Sequence, residues 1–156
     1  CTHTLLFETG GDILTPENRE KYKQLKIMDI TQWLKEVVLP RIKVIRPKNR
    51  ILLHPTCSCQ IMGLTPVLLD IARKCAREVI LPDNWGCCGA SGDRGFIFPE
   101  LSDSATRDER DEIGHESFDG CYSLARTCEI AMQDHIEQPY ESIVYLVDET
   151  IQDQGT

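Results

Sequence analysis

The chain has 156 residues, 41% of them apolar and 27% charged, the balance of a soluble protein with one domain-sized core. Its net charge of −8 at pH 7 argues against nucleic acid or anionic lipid as a partner, because like charge repels both. No apolar stretch approaches the roughly 20 residues of a membrane span and no signal peptide opens the chain, so the expected compartment is the cytoplasm. The first residue is Cys1 with no capping segment before it, which reads as a cut made inside a longer polypeptide. Eight cysteines in a mid-sized chain of ordinary hydrophobicity point to metal or redox work rather than to a secreted disulfide framework.

In chain order, the first clear element follows Asp29. With Gln32 three residues on it forms a capping box, and Ile30, Trp33, Leu34, Val37 and Val38 recur at helical spacing until Pro40. After the basic turn at 46–50, Ile51-Leu52-Leu53 reads as a short buried parallel strand ending at His54-Pro55-Thr56-Cys57. Thr65 and Pro66 predict a helix start, with Val67, Leu68, Ile71, Ala72 and Cys75 on one face. The run from Glu78 to Pro82 reads as the second strand. A strand, a helix and a strand in so short a span make a βαβ unit, whose ligands belong beyond the C-terminal ends of the strands.

The loop Gly86-Cys87-Cys88-Gly89-Ala90-Ser91-Gly92-Asp93-Arg94-Gly95 carries four glycines and is suited to close backbone approach. The segment from Glu100 to Ile113 reads as a solvated helix whose charges need no function. Thr127 caps a further predicted helix with Cys128, Ala131, Met132 and His135 on one side, and a last helix is expected from Tyr140 to Ile151. The expected architecture is α/β, with βαβ units building a short parallel sheet flanked by helices and the cysteine motifs on loops at the strand C-terminal ends.

Neighbouring cysteines cannot easily bridge each other, yet both can face one metal centre, and thiolates are the soft ligands that iron–sulfur clusters and zinc prefer. Cys57, Cys87, Cys88 and Cys128 are therefore the candidate ligands and cofactor-binding residues. His54 stands equally for a ligand or second-sphere group and for a hydrogen-bonded core residue. Cys121 is a looser candidate ligand, Cys59 reads as inert more readily than as an auxiliary ligand, and Cys75 reads as core. Cys1 would belong to a second site. Asp93 and Arg94 read as turn residues before contacts of a cluster or partner. No phosphate loop, nucleophile elbow or HExxH helix is present, and no catalytic residue is assigned.

Five strings, His-Pro-Thr-Cys (54–57), Asn-Trp-Gly-Cys-Cys-Gly (84–89), Gly-Asp-Arg-Gly-Phe (92–96), Pro-Glu-Leu (99–101) and Arg-Thr-Cys-Glu (126–129), together resemble the cysteine-rich CCG module. That module occurs in heterodisulfide reductase, in the iron–sulfur subunits of glycolate oxidase and glycerol-3-phosphate dehydrogenase, and at the C-terminus of bacterial FAD-linked D-lactate dehydrogenases, the nearest match. Cys1-Thr2-His3-Thr4 and the segment 140–146 share the likeness. The resemblance implies residues 1–49 as a helical segment continuing from an upstream domain, and 50–156 as the module itself. It implies an iron–sulfur cluster that relays electrons from an FAD domain upstream in the same chain to a quinone or cytochrome, within an enzyme oxidising D-lactate or another D-2-hydroxy acid, and peripheral to the cytoplasmic membrane as a variant of the cytoplasmic location. The fragment alone is not expected to be catalytic. The family's Cys-x-x-Cys ending is broken here by Ala125, which leaves four thiolates where five are expected, enough for an ordinary cluster or for zinc. The alternatives are a structural, zinc-holding docking module and, last, a thiol–disulfide domain using Cys87 and Cys88.

Overall fold

Ile51, Leu52 and Leu53 are completely buried, which an alternating strand achieves only when both faces of its sheet are covered. The computed structural model of the protein describes residues 14–151, and there this segment is the end of strand β1 (Lys48–Leu53). Three further strands join it: β2 (Ala76–Ile80), β3 (Gly120–Ser123) and β4 (Tyr140–Ser142). They form a four-stranded sheet in the order β2-β1-β3-β4 with every pairing parallel. The protein is thus an α/β protein with a parallel sheet and helices on both faces.

Eight α-helices complete the described residues. They are α1 (Pro16–Lys23), α2 (Ile30–Trp33), α3 (Cys57–Ile61), α4 (Thr65–Cys75), α5 (Arg94–Ile97), α6 (Pro99–Ile113), α7 (Arg126–Ile136) and α8 (Ile143–Thr150). Strand alternation sorts the core into two. Ile51 and Leu53 meet Leu34, Leu68, Ile71, Ala72, Ile143 and Leu146, so the helical turn following α2, together with α4 and α8, covers one face. Leu52 meets Ile113, Cys121, Ala131, Met132 and Ile136 on the other face, under α6 and α7. The amphipathic α4 crosses between β1 and β2 as its periodicity predicts, its Leu68, Ile71, Ala72 and Cys75 all buried.

The capping box is present: the Thr31 amide donates to Asp29 Oδ1 at 2.9 Å and the Asp29 amide to Gln32 Oε1 at 3.2 Å. The helix it starts does not stay α. After Trp33 it widens into a π turn over Leu34–Val38 and then tightens to a 3-10 turn over Leu39–Arg41 around Pro40. Leu34 and Leu39, five residues apart as one π turn requires, take the buried positions. Trp33, expected on the apolar face, is 44% exposed. This helical segment, assigned from sequence to residues 1–49, therefore shares its core with β1. Cys1 and the string Cys1-Thr2-His3-Thr4 lie outside the described residues, as do residues 152–156.

Two expectations are corrected, and one unassigned segment becomes a strand. Tyr140 to Ser142 form β4 rather than the first turn of a helix, and Ser142 caps α8, its hydroxyl accepting from the Val144 amide at 3.4 Å. Gly120 to Ser123, unassigned in the sequence, form β3 beside β1. Helix α6 is not solvated throughout, for it turns Ser102, Thr106, Glu109 and Ile113 inward. Among the described residues no helix is long and apolar enough to cross a membrane.

Burial pushes the Asp29 carboxyl up, yet hydrogen bonds, those from Thr31 among them, hold it below its ordinary value. The folded state therefore binds this proton less readily than the unfolded chain. Its stabilising contribution is present at neutral pH and is lost as the pH falls through the depressed folded value. Asp29→Ala is expected to lose about 1 kcal/mol of stability in urea unfolding at pH 7, with the difference from wild type shrinking in acid; a difference independent of pH would remove the cap from this account.

Candidate metal centre

Strand order reverses at β1: the chain leaves it for β2 on one side and returns to β3 on the other. At such a point the helices after adjacent strands depart to opposite faces and leave a crevice at the strand C-terminal ends. The structure carries Cys57, Cys87, Cys88 and Cys128 to this edge. Cys57 opens α3 just after β1, Cys87 and Cys88 lie in the loop after β2, and Cys128 sits in the first turn of α7 just after β3. Two sulfurs are shallow and two deep: Cys57 and Cys87 are exposed, while Cys88 is 4% and Cys128 8% exposed.

The four thiols feel one another. Interaction with the Cys128 thiol and amide donation from Ala90 draw the Cys88 thiol below its ordinary value despite its burial. The same contact drives Cys128 upward, helped by burial and by the charges of Cys88, Cys57 and Cys87. Cys57 is raised by burial first and then by Cys87 and Cys88, partly offset by the Ser58 amide. The Gly89 amide donates to Cys87 Sγ at 3.4 Å. Backbone amides aimed at sulfur favour thiolate and tune any cluster that the sulfurs hold.

Among the described residues, no three His, Cys, Asp or Glu side chains stand in metal-holding geometry. The four thiols lie at one sheet edge and are of the soft donor type, but their side chains are not gathered into a metal-holding group.

The backbone around the pair is tightly specified. Gly89 has φ +74°, and a Cβ there would meet the Leu101 carbonyl oxygen and Ser102 Cα of α6, both at 2.6 Å. The other end of α6 holds the loop's approach: Glu112 accepts from the Asp83 and Asn84 amides at 2.7 and 2.8 Å and from Asn84 Nδ2 at 3.0 Å. These bonds hold the Glu112 carboxyl below its ordinary value.

The remaining candidates separate. His54 is 1% exposed just past β1, its Nδ1 3.0 and 3.2 Å from the two carboxylate oxygens of Glu109, itself 2% exposed. Cys121 lies within β3, level with Leu52 and Tyr140, and burial pushes its thiol up to about 12 with no influence from the other cysteines. Cys59 and Cys75 are wholly buried on the opposite face, and burial raises both, Cys59 to about 11. Asp93 and Arg94 stand exposed at the start of α5. Ala125 is the N-cap of α7. Glu109 and Glu112 escaped sequence reasoning. The signal for Glu109 was present: Ser102, Thr106, Glu109 and Ile113 repeat at the helical period and mark an inward face, but only Ile113 is large and apolar.

Compared with known proteins, the chain matches no family model, no curated protein and no solved structure.

Ala at a left-handed φ costs about 1–2 kcal/mol, to which the contact with α6 adds. Gly89→Ala is expected to lower the urea midpoint and to open Cys88, protected in the wild type, to a thiol reagent; an unchanged midpoint with Cys88 still protected would count against this packing. In metal-free protein, Glu109→Leu leaves His54 without its partner at a cost of about 1–3 kcal/mol, whereas Glu109→Leu with His54→Leu removes both polar groups and recovers most of it. Unfolding of the single and double variants checks this, and additive losses would argue against a direct pair.

Proposed function

We propose that this chain is the electron-transfer module of a flavin-linked D-2-hydroxy-acid dehydrogenase, holding an iron–sulfur cluster on Cys57, Cys87, Cys88 and Cys128. The observation that carries the reading is the placement of these four thiols at the C-terminal edge of the sheet, where strand order reverses. A cluster bound there supplies a one-electron relay. The chain's own residues anchor it, donate amide hydrogen bonds to its sulfur ligands from the Cys57 and Cys87–Ala90 segments, and bury its deep side against α6 and α7.

The wider assignment, a donor FAD domain in the same chain and a quinone or cytochrome acceptor, rests on the likeness of the five strings to the CCG module. D-lactate or a related D-2-hydroxy acid would be oxidised at the flavin, and hydride chemistry belongs to that cofactor rather than to this module. Four thiolates suffice for an ordinary cluster, and the place of a fifth is taken by Ala125.

The test is metal and sulfide analysis with optical spectra on protein purified without oxygen, wild type beside Cys88→Ser. Iron, sulfide and a visible band that bleaches on reduction are expected in the wild type, and their loss in Cys88→Ser. Stoichiometric zinc without colour would replace the electron-transfer reading with a structural one. A folded protein that takes up neither metal would end the metal reading.

A further inference from the structure

Gly95 is the buried residue of α5, and a Cβ there would meet Ser102 Oγ at 2.5 Å and Ala90 Cα at 2.8 Å. The single turn of α5 therefore presses its glycine inward and leaves the residues after it in solvent. Phe96 is 46%, Ile97 64%, Phe98 46% and Leu101 41% exposed. Of the ten large hydrophobics that stand exposed among the described residues, four fall within the six positions 96–101. Apolar side chains scattered singly over a surface need no explanation, but a concentration of this kind marks a contact surface, and aromatic residues are enriched at the buried centres of interfaces.

The charges of the stretch point to its occupant. Arg94 precedes the apolar run and Glu100 lies near its end; both are exposed, and neither side chain has a partner among the described residues. The next charges along α6 are already paired, Asp103 with both Arg107 and Arg110. A two-fold axis through a surface sets residue i of one copy against residue j of the other, and j against i. An axis passing between Arg94 and Glu100 thus joins each to its opposite charge on the second copy and lays the two apolar runs on each other. The run also borders a cavity of about 200 Å³ lined by Phe96, Pro99 and Ala131. That is room for one side chain such as Ile97, since an apolar cavity of about 150 Å³ holds a benzene ring.

We propose that α5 and the first turn of α6 form a self-complementary face through which two copies of this chain associate as a two-fold dimer. The inference stands apart from the cluster assignment. Asp93, also exposed, adds a like charge beside Arg94, which leaves the apolar centre as the main attraction. Each copy carries a net charge of −8, a repulsion that salt at about 0.15 M screens beyond about 8 Å. So small a face belongs with the transient interfaces, and a dissociation constant of about 10–100 μM is expected.

The test is sedimentation velocity of the full chain over a concentration series spanning that range, in reducing buffer so that no disulfide links two copies. The wild type is expected to pass from monomer to dimer. Ile97→Asp, at a position that water already reaches in the monomer, is expected to remain monomeric throughout. Arg94→Glu and Glu100→Arg should each weaken the dimer about fivefold, because two like-charge contacts replace two ion pairs. Combined, they should return it to within about twofold of wild type, which also shows that the reversals leave the fold intact. A wild type that stays monomeric at every concentration overturns the proposal, whether the face is idle or meets a different protein. So does a dimer that survives Ile97→Asp, or one that the charge reversals do not weaken singly and restore together.

Discussion

A parallel strand in the middle of a short sheet has to be covered on both faces, and in this protein that condition falls on Ile51, Leu52 and Leu53. Each is fully buried, and alternation sends them into two separate cores. Covering both faces requires helices on each, which forces the chain to leave β1 in one direction and return beside it in the other. The crevice at the C-terminal edge is the geometric result of that reversal. Cys57, Cys88 and Cys128 reach it because each lies within a few residues of the end of β1, within the loop after β2, or in the first turn after β3. Their chemistry is thus tied to the packing of the strand beneath them.

Helix α6 performs two tasks that its composition conceals. Its inner face carries Glu109 under the sheet edge, while the exposed Glu112 on its other side accepts from the amides that lead into the cysteine loop. Its first turn presses against Gly89, where there is no room for a side chain. The loop that holds Cys87 and Cys88 is therefore gripped at its beginning and its end by one rigid element. A site built this way keeps its sulfurs near one another without a disulfide, and every described cysteine is a free thiol.

The same edge also gathers groups that a purely structural core would not keep. A buried carboxylate, a buried histidine with one nitrogen unpaired and two deep thiols in contact are each costly when left without partners. Such concentrations make this edge the candidate functional site of the molecule. The opposite face of the sheet, by contrast, is filled by Leu68, Ile71, Leu146 and their neighbours, with Cys59 and Cys75 as small hydrophobes among them.

The βαβ core of the fold was legible because its signals are local. The apolar run 51–53, the helical stripe from Leu68 to Cys75 and the capping box at Asp29 each report on their own immediate neighbours. Strands β3 and β4 were not legible, since Gly120–Ser123 and Tyr140–Ser142 are four and three residues long and become strands only by pairing with β1 and with each other. Of the cysteines, residue type and a glycine-rich setting singled out Cys87 and Cys88, and their neighbours Cys57 and Cys128 followed from placement at element ends. By itself, then, the sequence determined a helix-flanked parallel sheet and which four cysteines to consider together. Only the tertiary structure decided that Cys121 is enclosed within a strand, that His54 is bound to Glu109 across 55 residues of chain, and that α6 braces the loop. Those contacts depend on which faces meet after folding, and residue spacing along the chain does not encode that.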